Sequence, residues 1–366
     1  MNRIDFKTTT AGLAALMFCT AVSAAEKQLT LDELFPTDRV LDVQITVAEK
    51  DWDRIRRQSR DFVSALHEKR KMKAIDGPYE YVNADVTIDG VKFEKVGLRK
   101  KGFIGSQSSS RPSLKVKLNH TDKERNIGGL TNLTMNNNKQ DGSIVSQYMG
   151  YALFNAAGSP ASRCAFAKVT VNGKNLGIYS HVESMRKPLL ARAFSDESGT
   201  LYEGTVVDFY DGWEGSLEHK RGNDKPGREK IRQLTRLLES GETSEEAIGR
   251  LVDLDSFYRY WAIEGLLGFW DGYSGNANNY FIYLNPKKDR FHFMPWGADA
   301  LFRKRSMLNF DFRAPVSVKT KGRVAYRLYQ LPEGRERYRK TLHGLLKEHW
   351  NEKNLLAECD LSLIHI

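Results

Sequence analysis

Leu41, Val43, Ile45 and Val47 alternate with polar residues, the period of a half-buried strand, and residues 49–60 follow with the spacing of a short helix. Residues 81–88 alternate again and end at Asp89-Gly90, a pair that favours a tight hairpin, so 91–98 is the returning strand. Leu114, Val116 and Leu118 put their apolar side on one face and Lys115 and Lys117 on the other. A second hairpin joins 166–171 to 176–182 across Asn172-Gly173, and a helix over 143–157, capped by Asp141 or Ser143, lies between these strands. The pattern is therefore mostly β from 40 to 182. Beyond residue 187 it changes. Residues 228–238 and 245–252 read as helices, and 256–269 is apolar on nearly every side except at Ser256, Arg259 and Glu264, which predicts a buried helix. Tyr280, Ile282 and Leu284, a turn over 285–289, then Phe291 and Phe293 predict a hairpin that brings Asn279 near Pro295, and so Asn276 near Asp299.

With 366 residues the chain can bury a large core, as one two-lobed unit or two tightly joined domains. Arg3 and Lys7, the apolar run 11–22 and the small residues Val22-Ser23-Ala24 read as a secretory signal over 1–24, followed by a linker over 25–37. No later run reaches the ~18 apolar residues of a membrane span, so an exported chain without a transmembrane segment is expected. Removing the signal would take away Cys19 and leave Cys164 and Cys359, which make no disulfide framework. The net charge of +10 favours anionic partners. Its basic residues are dispersed rather than gathered into a stripe with interleaved aromatics, which argues against nucleic acid. Residues 361–366 read as translated sequencing adaptor and receive no assignment; nothing in the sequence sets an oligomeric state.

The candidate chemistry lies between Trp270 and Phe302. Asp271 and Asn276 stand in the spacing D-x4-N, in which a protein-kinase catalytic loop sets a base carboxylate beside a metal-holding amide, and Asp299 returns after a two-stranded excursion. Turn formation alone would also explain Asp, Asn and Gly here. Lys115 and Lys117 sit on a strand of the β-rich half, where a lysine can meet nucleotide phosphates, and Lys115 is the first choice. Arg99, Lys101 and Gly102 precede a Ser-rich turn whose N–H groups are placed to cover phosphates. Glu183 follows the last strand of that half, as a site residue or a helix-start carboxylate. Zinc-protease, zinc-knuckle, nucleophile-elbow and P-loop motifs are all missing.

Several blocks together resemble the CotH-type kinases, a family of secreted atypical protein kinases known from bacterial spore coats. They are Gly97-Leu-Arg-Lys-Lys-Gly102 with Arg111-Pro-Ser-Leu-Lys-Val-Lys117, Val171-Asn-Gly-Lys-Asn-Leu-Gly-Ile-Tyr179 with Val182-Glu183, Gly199-Thr-Leu-Tyr202, and DGYSGNANNYFIY with PWGAD. The resemblance implies an α+β, atypical protein-kinase-like two-lobed fold, with a β-rich N-lobe over 38–184 and a mainly helical C-lobe over 185–360. It implies ATP with Mg2+ or Mn2+, and transfer of the γ-phosphoryl group to Ser or Thr of an exported protein substrate. Asp271 is then the catalytic aspartate, Asn276 and Asp299 the metal ligands, and Lys115, Arg99, Lys101, Gly102 and Glu183 the nucleotide-binding set. Two positions depart from the family pattern. Asn278 stands where the family has His, and Gly297 where the first Asp of PWD-x-D is expected, leaving Asp299 as that motif's carboxylate. The alternative on the same scaffold is a pseudokinase serving surface or coat assembly; an adhesin-like surface protein is a third reading.

Overall fold

A computed structural model of the chain describes residues 28–61, 63, 73–75, 77–241, 243–302 and 318–365. The segment read as a signal lies outside the described residues. Residues 28–37, read as a linker, lie against the protein instead: Leu34 is fully buried, and Phe35 stacks on His181 with ring centroids 4.7 Å apart.

The β-rich part is a closed barrel. Strands β1 (Leu41–Val47), β2 (Val82–Ile88), β3 (Val91–Lys101), β4 (Ser113–Lys117), β5 (Asn132–Asn136), β6 (Cys164–Val171) and β7 (Lys174–Glu183) follow the order β1-β2-β3-β4-β5-β7-β6. Both hairpins form where the turn residues predict them, with Asp89 and Asn172 at φ 46 and 48 and each following Gly also at positive φ. Closure depends on a parallel pairing of β1 with β6, between Leu41↔Ala167 and Ile45↔Val171. The alternating apolar residues, among them Val43, Ile45, Leu98, Leu114, Val116 and Val169, fill the interior, each contributing about 1.5–3 kcal/mol of burial. Helix α1 (Glu49–Arg57) stops three residues short of the predicted end, because Gln58 is already extended. Its acidic first turn and basic last turn match the helix dipole.

Helix α2 (Ser146–Ala156) begins later than predicted, because Asp141 reaches forward. Its carboxylate accepts from the backbone N–H of Ser143 at 3.0 Å and of Ser146 at 2.8 Å. The region expected to be mainly helical also contains a four-stranded sheet, ordered β11-β10-β8-β9, from β8 (Thr200–Gly204), β9 (Glu218–Arg221), β10 (Tyr280–Asn285) and β11 (Arg290–Pro295). Around it lie α3 (Lys187–Phe194), α4 (Asp224–Glu239), α5 (Glu245–Gly249) and α6 (Leu254–Leu266), the short α7 (Tyr273–Asn276), then α8 (Arg323–Gln330), α9 (Pro332–Glu348) and α10 (Glu352–His365). The last of these takes in residues 361–365 of the stretch read as adaptor. Helix α6 is the buried helix of the sequence pattern, shifted to start at Leu254 because the Asp253 side chain caps it at Ser256 N. Phe257, Tyr260, Trp261 and Ile263 pack it into the largest apolar cluster, which also takes Cys164, Phe166 and Val182 from the outer face of the barrel.

Candidate active site

The buried helix α6 delivers Asp271. Glu264, fully buried near its end, accepts from the backbone N–H of Tyr273 and of Ser274, both at 2.8 Å, from Tyr260 Oη at 2.7 Å and from Ser274 Oγ. This carboxylate therefore caps α7 and holds the loop that follows Asp271. Gly272 is required there, since a Cβ would run into the Glu264 carboxylate. Asp271 itself collects amide donors: Asn276 Nδ2 at 2.8 Å and Asn278 Nδ2 at 3.1 Å on Oδ1, and Asn279 Nδ2 at 2.9 Å on Oδ2. Burial nevertheless raises its pKa, with the three amides and the charge of Lys321 pulling the other way. Asn278, at the position of the family's His, also accepts from Val206 N at 3.0 Å, so it ties the 206 loop to the aspartate.

Asp299 approaches from the far end of the hairpin. The register pairs Tyr280 with Pro295, and Trp296 N donates to Asn279 O at 2.9 Å, one residue offset from the predicted Asn279–Pro295 pairing. Asp299 is buried, with Asn136 Nδ2 and Gln140 Nε2 each 3.4 Å from its carboxylate. Burial pushes its pKa up to about 6; the Asp271 charge adds to the rise and Lys101 opposes it. Asp271 and Asp299 are thus brought together. Asn276 stays beside Asp271 through its Nδ2, and its Oδ1 accepts from Lys321 Nζ at 3.2 Å.

Gly297 has φ +54, and a Cβ there would stand 2.6 Å from Asn279 Oδ1. The missing carboxylate is thus matched by an asparagine packed onto the glycine. Gly297→Asp is expected to lower the unfolding free energy by about 1–3 kcal/mol, read by urea denaturation. An unchanged midpoint would mean that Asn279 moves aside freely.

The cations come from the outer face of the barrel. Arg99 pairs with Lys115 across β3 and β4, and Lys101 with Ser113, so the three side chains share one face. Burial lowers the pKa of Lys101 against the pull of Asp299, and takes that of Lys115 down to about 7 with help from Arg99 and Arg186. Lys101 lines a small cavity with Thr134, Asn136, Gln147, Trp296 and Gly297. Glu203 is the anion of this group; burial works against its charge, yet Lys220, 2.6 Å away, together with Lys115 and Lys101 holds its pKa below the ordinary value. Gly102, at φ +119, opens the Ser-rich turn, and its carbonyl accepts from Tyr79 Oη at 2.6 Å. Glu183 is not part of the cluster. It is fully buried between Arg192 at 2.8 Å and Arg163 at 3.2 Å, an ion-paired strut at the end of β7 rather than the exposed helix-start carboxylate of the alternative reading.

Among the described residues no group of three or more His, Cys, Asp or Glu side chains forms a metal cage. The available donors are hard oxygens. Among the described residues, Asp299 has long amide contacts, a second carboxylate and the Lys101 charge near it, a negative balance that suits Mg2+ or Mn2+, ions that leave several positions to phosphate oxygens and water. The sequence reading missed Asn136, Gln140, Glu203, Glu264 and Lys321. A polar run at the end of a strand marks the first two, and a lone carboxylate on an apolar helix marks Glu264; nothing local marks Lys321.

The chain is similar to the inner spore coat protein H of Bacillus subtilis, 24% identical over 249 residues that cover 63% of this chain and 67% of that protein. It is also similar to the invasin CotH2 of Rhizopus delemar, 21% identical over 231 residues, 57% of this chain but 38% of the invasin. A proinflammatory kinase, CtkA of Helicobacter pylori, overlaps 69% of this chain and 90% of its own at 12% identity and a TM-score of 0.30, which carries no weight for the fold. The family described as CotH kinase protein matches residues 98–360, most of the chain and all of the site built above, and the chain belongs to that family.

Proposed function

We propose that this chain is an exported protein kinase that moves the γ-phosphoryl group of ATP to a Ser or Thr hydroxyl of an exported protein. The observation that carries it is the meeting of half-buried Asp271 and buried Asp299 with the Lys101 ammonium group, on the barrel face that Lys101 shares with Lys115. In this reading the barrel is the N-lobe and the segment from 185 onward the C-lobe. Lys101, Lys115 and Arg99 take the phosphates, and the N–H groups of the turn after Gly102 cover them. Asp271 orients the substrate hydroxyl and receives its proton as the oxygen–phosphorus bond forms. The bond from the γ-phosphorus to the bridging oxygen breaks and ADP leaves. Asp299 holds the divalent ion, which when bound neutralises the phosphate oxygens. The three asparagine amides fix the Asp271 carboxylate so that little reorganisation accompanies proton transfer. Export rests on the residue 1–24 pattern, and the names of the two relatives, a spore coat protein and an invasin, point to a surface or coat setting.

The test is incubation of the mature chain with labelled ATP and Mg2+ or Mn2+, beside Asp271→Asn, with co-exported proteins present. Label in protein with the native chain and none with the variant is expected. Nucleotide bound without any transfer would instead establish the pseudokinase reading, which Gly297 favours. The lowered pKa of Lys115 adds a pH signature, because phosphate binding requires the charged ammonium. ATP affinity is expected to hold below about pH 7 and to weaken by up to about tenfold per pH unit above it, as followed by calorimetry. A flat profile would remove Lys115 from the binding set.

A further inference from the structure

Residues 319–324 are fastened to the underside of the catalytic loop through the main chain. Lys319 O accepts from Trp261 Nε1 at 2.6 Å, and Lys321 N donates to Ser274 O at 2.8 Å. Arg323 N reaches Asp208 Oδ2 at 2.8 Å, and Val324 N reaches Tyr273 Oη at 3.1 Å. Gly322 lies so close to Tyr273 that a Cβ would sit 2.7 Å from its ring. This fastening fixes where the Lys321 side chain starts. Although the residue is exposed, its Nζ stands 3.2 Å from Asn276 Oδ1 and within electrostatic reach of Asp271. The other site cations described above, Lys101, Lys115, Arg99 and Lys220, gather on the side of Asp299 and Glu203. Lys321 supplies positive charge on the side of Asp271 and Asn276.

Asn276 Oδ1 is the amide oxygen that the D-x4-N spacing gives to a metal ion, and Gly297 removes a carboxylate from the motif that would help to hold metal. We propose that the Lys321 ammonium takes the place of a second divalent cation. The site then loads one metal ion, at Asp299, and Lys321 contacts the γ-phosphoryl oxygens from the Asp271 side during transfer. The proposal rests on the kinase reading. A positive charge at that position is useful only where phosphate charge accumulates, and a lysine delivers it without needing carboxylate ligands.

The experiment is a titration of the mature chain with Mn2+ in the presence of a non-hydrolysable ATP analogue, read by electron paramagnetic resonance. Steady-state kinetics of Lys321→Ala and Lys321→Arg accompany it. One tightly bound Mn2+ per chain is expected. Lys321→Ala should lose about 10²–10³-fold in kcat with KM for ATP changed by less than about threefold, and Lys321→Arg should recover part of the loss. Two Mn2+ ions per native chain, or an unchanged kcat in Lys321→Ala, would overturn the proposal and leave the kinase reading standing. Failure of the native chain to bind the analogue at all would overturn both. If Lys321→Ala unfolds, the Mn2+ count on the native chain decides alone.

Discussion

Asp299→Asn is expected to abolish phosphoryl transfer and at the same time to make the metal-free protein more stable at neutral pH. The two effects share one cause. Asp299 is buried with long hydrogen bonds and a neighbouring carboxylate, so its pKa rises from 3.8 to about 6. The folded protein therefore binds this proton more tightly than the unfolded chain does. The stability that the protonated group allows is complete below about pH 4 and is lost as pH rises through about 6, a penalty of about 3 kcal/mol at neutral pH. Asparagine avoids that penalty, although it supplies no charge to a divalent ion. Urea unfolding with chelator between about pH 4 and 8 should show the variant gaining on the native chain as pH rises, by about 2–3 kcal/mol above pH 6. Asp208, also raised to about 6, acts in the same direction, and His181 and His292, lowered to about 4, act in the opposite one. All three are common to both proteins, so the difference reports Asp299 together with its coupling to Asp271. Parallel pH curves would show that the carboxylate is adequately compensated without metal. Saturating Mg2+ or Mn2+ should stabilise the native chain and not the variant.

Glu264→Ala is expected to cost about 3–5 kcal/mol of unfolding free energy. The carboxylate is fully buried and is the acceptor for two backbone N–H groups and two hydroxyls. Its removal leaves those donors unpaired in an apolar surrounding where each lost partner is costly. Glu264→Gln is the sharper probe of function. It keeps the volume and one oxygen but turns an amide N–H2 toward the N-terminus of α7, against a donor. The loop carrying Asp271 and Asn276 should loosen, with kcat falling by about 10–10²-fold and ATP binding, which the proposed reading assigns to the barrel lysines, little altered. Equal losses in kcat and in ATP affinity would show general damage rather than loss of loop position.

Much of the local structure is legible in the residues. Asp89-Gly90 and Asn172-Gly173 specify their turns because both positions of such a hairpin need positive φ, and the alternation of Val43, Ile45 and Val47 specifies a buried strand face. The proximity of Asp271 and Asp299 follows from the hairpin between them, because pairing over a short loop is nearly determined by its turn. Element ends are less legible: α1 stops at Arg57 and α6 starts at Leu254 because of single capping or extended residues.

What the chain determines by itself is thus the type of each element, the faces the elements bury and the hairpin that joins Asp271 to Asp299, all of which depend on neighbours in sequence. Tertiary structure decided the rest. A strand's period reveals its buried side but not its partner, so the parallel β1–β6 pairing that closes the barrel was not readable. A charged residue reveals its charge but not its counterion. Packing sends Glu183 to two arginines, aims Asn136 and Gln140 at Asp299, and brings Lys321 from 45 residues away in the chain to the oxygen of Asn276. Those contacts join segments distant in sequence, and their energies depend on burial that exists only once the chain has closed around them.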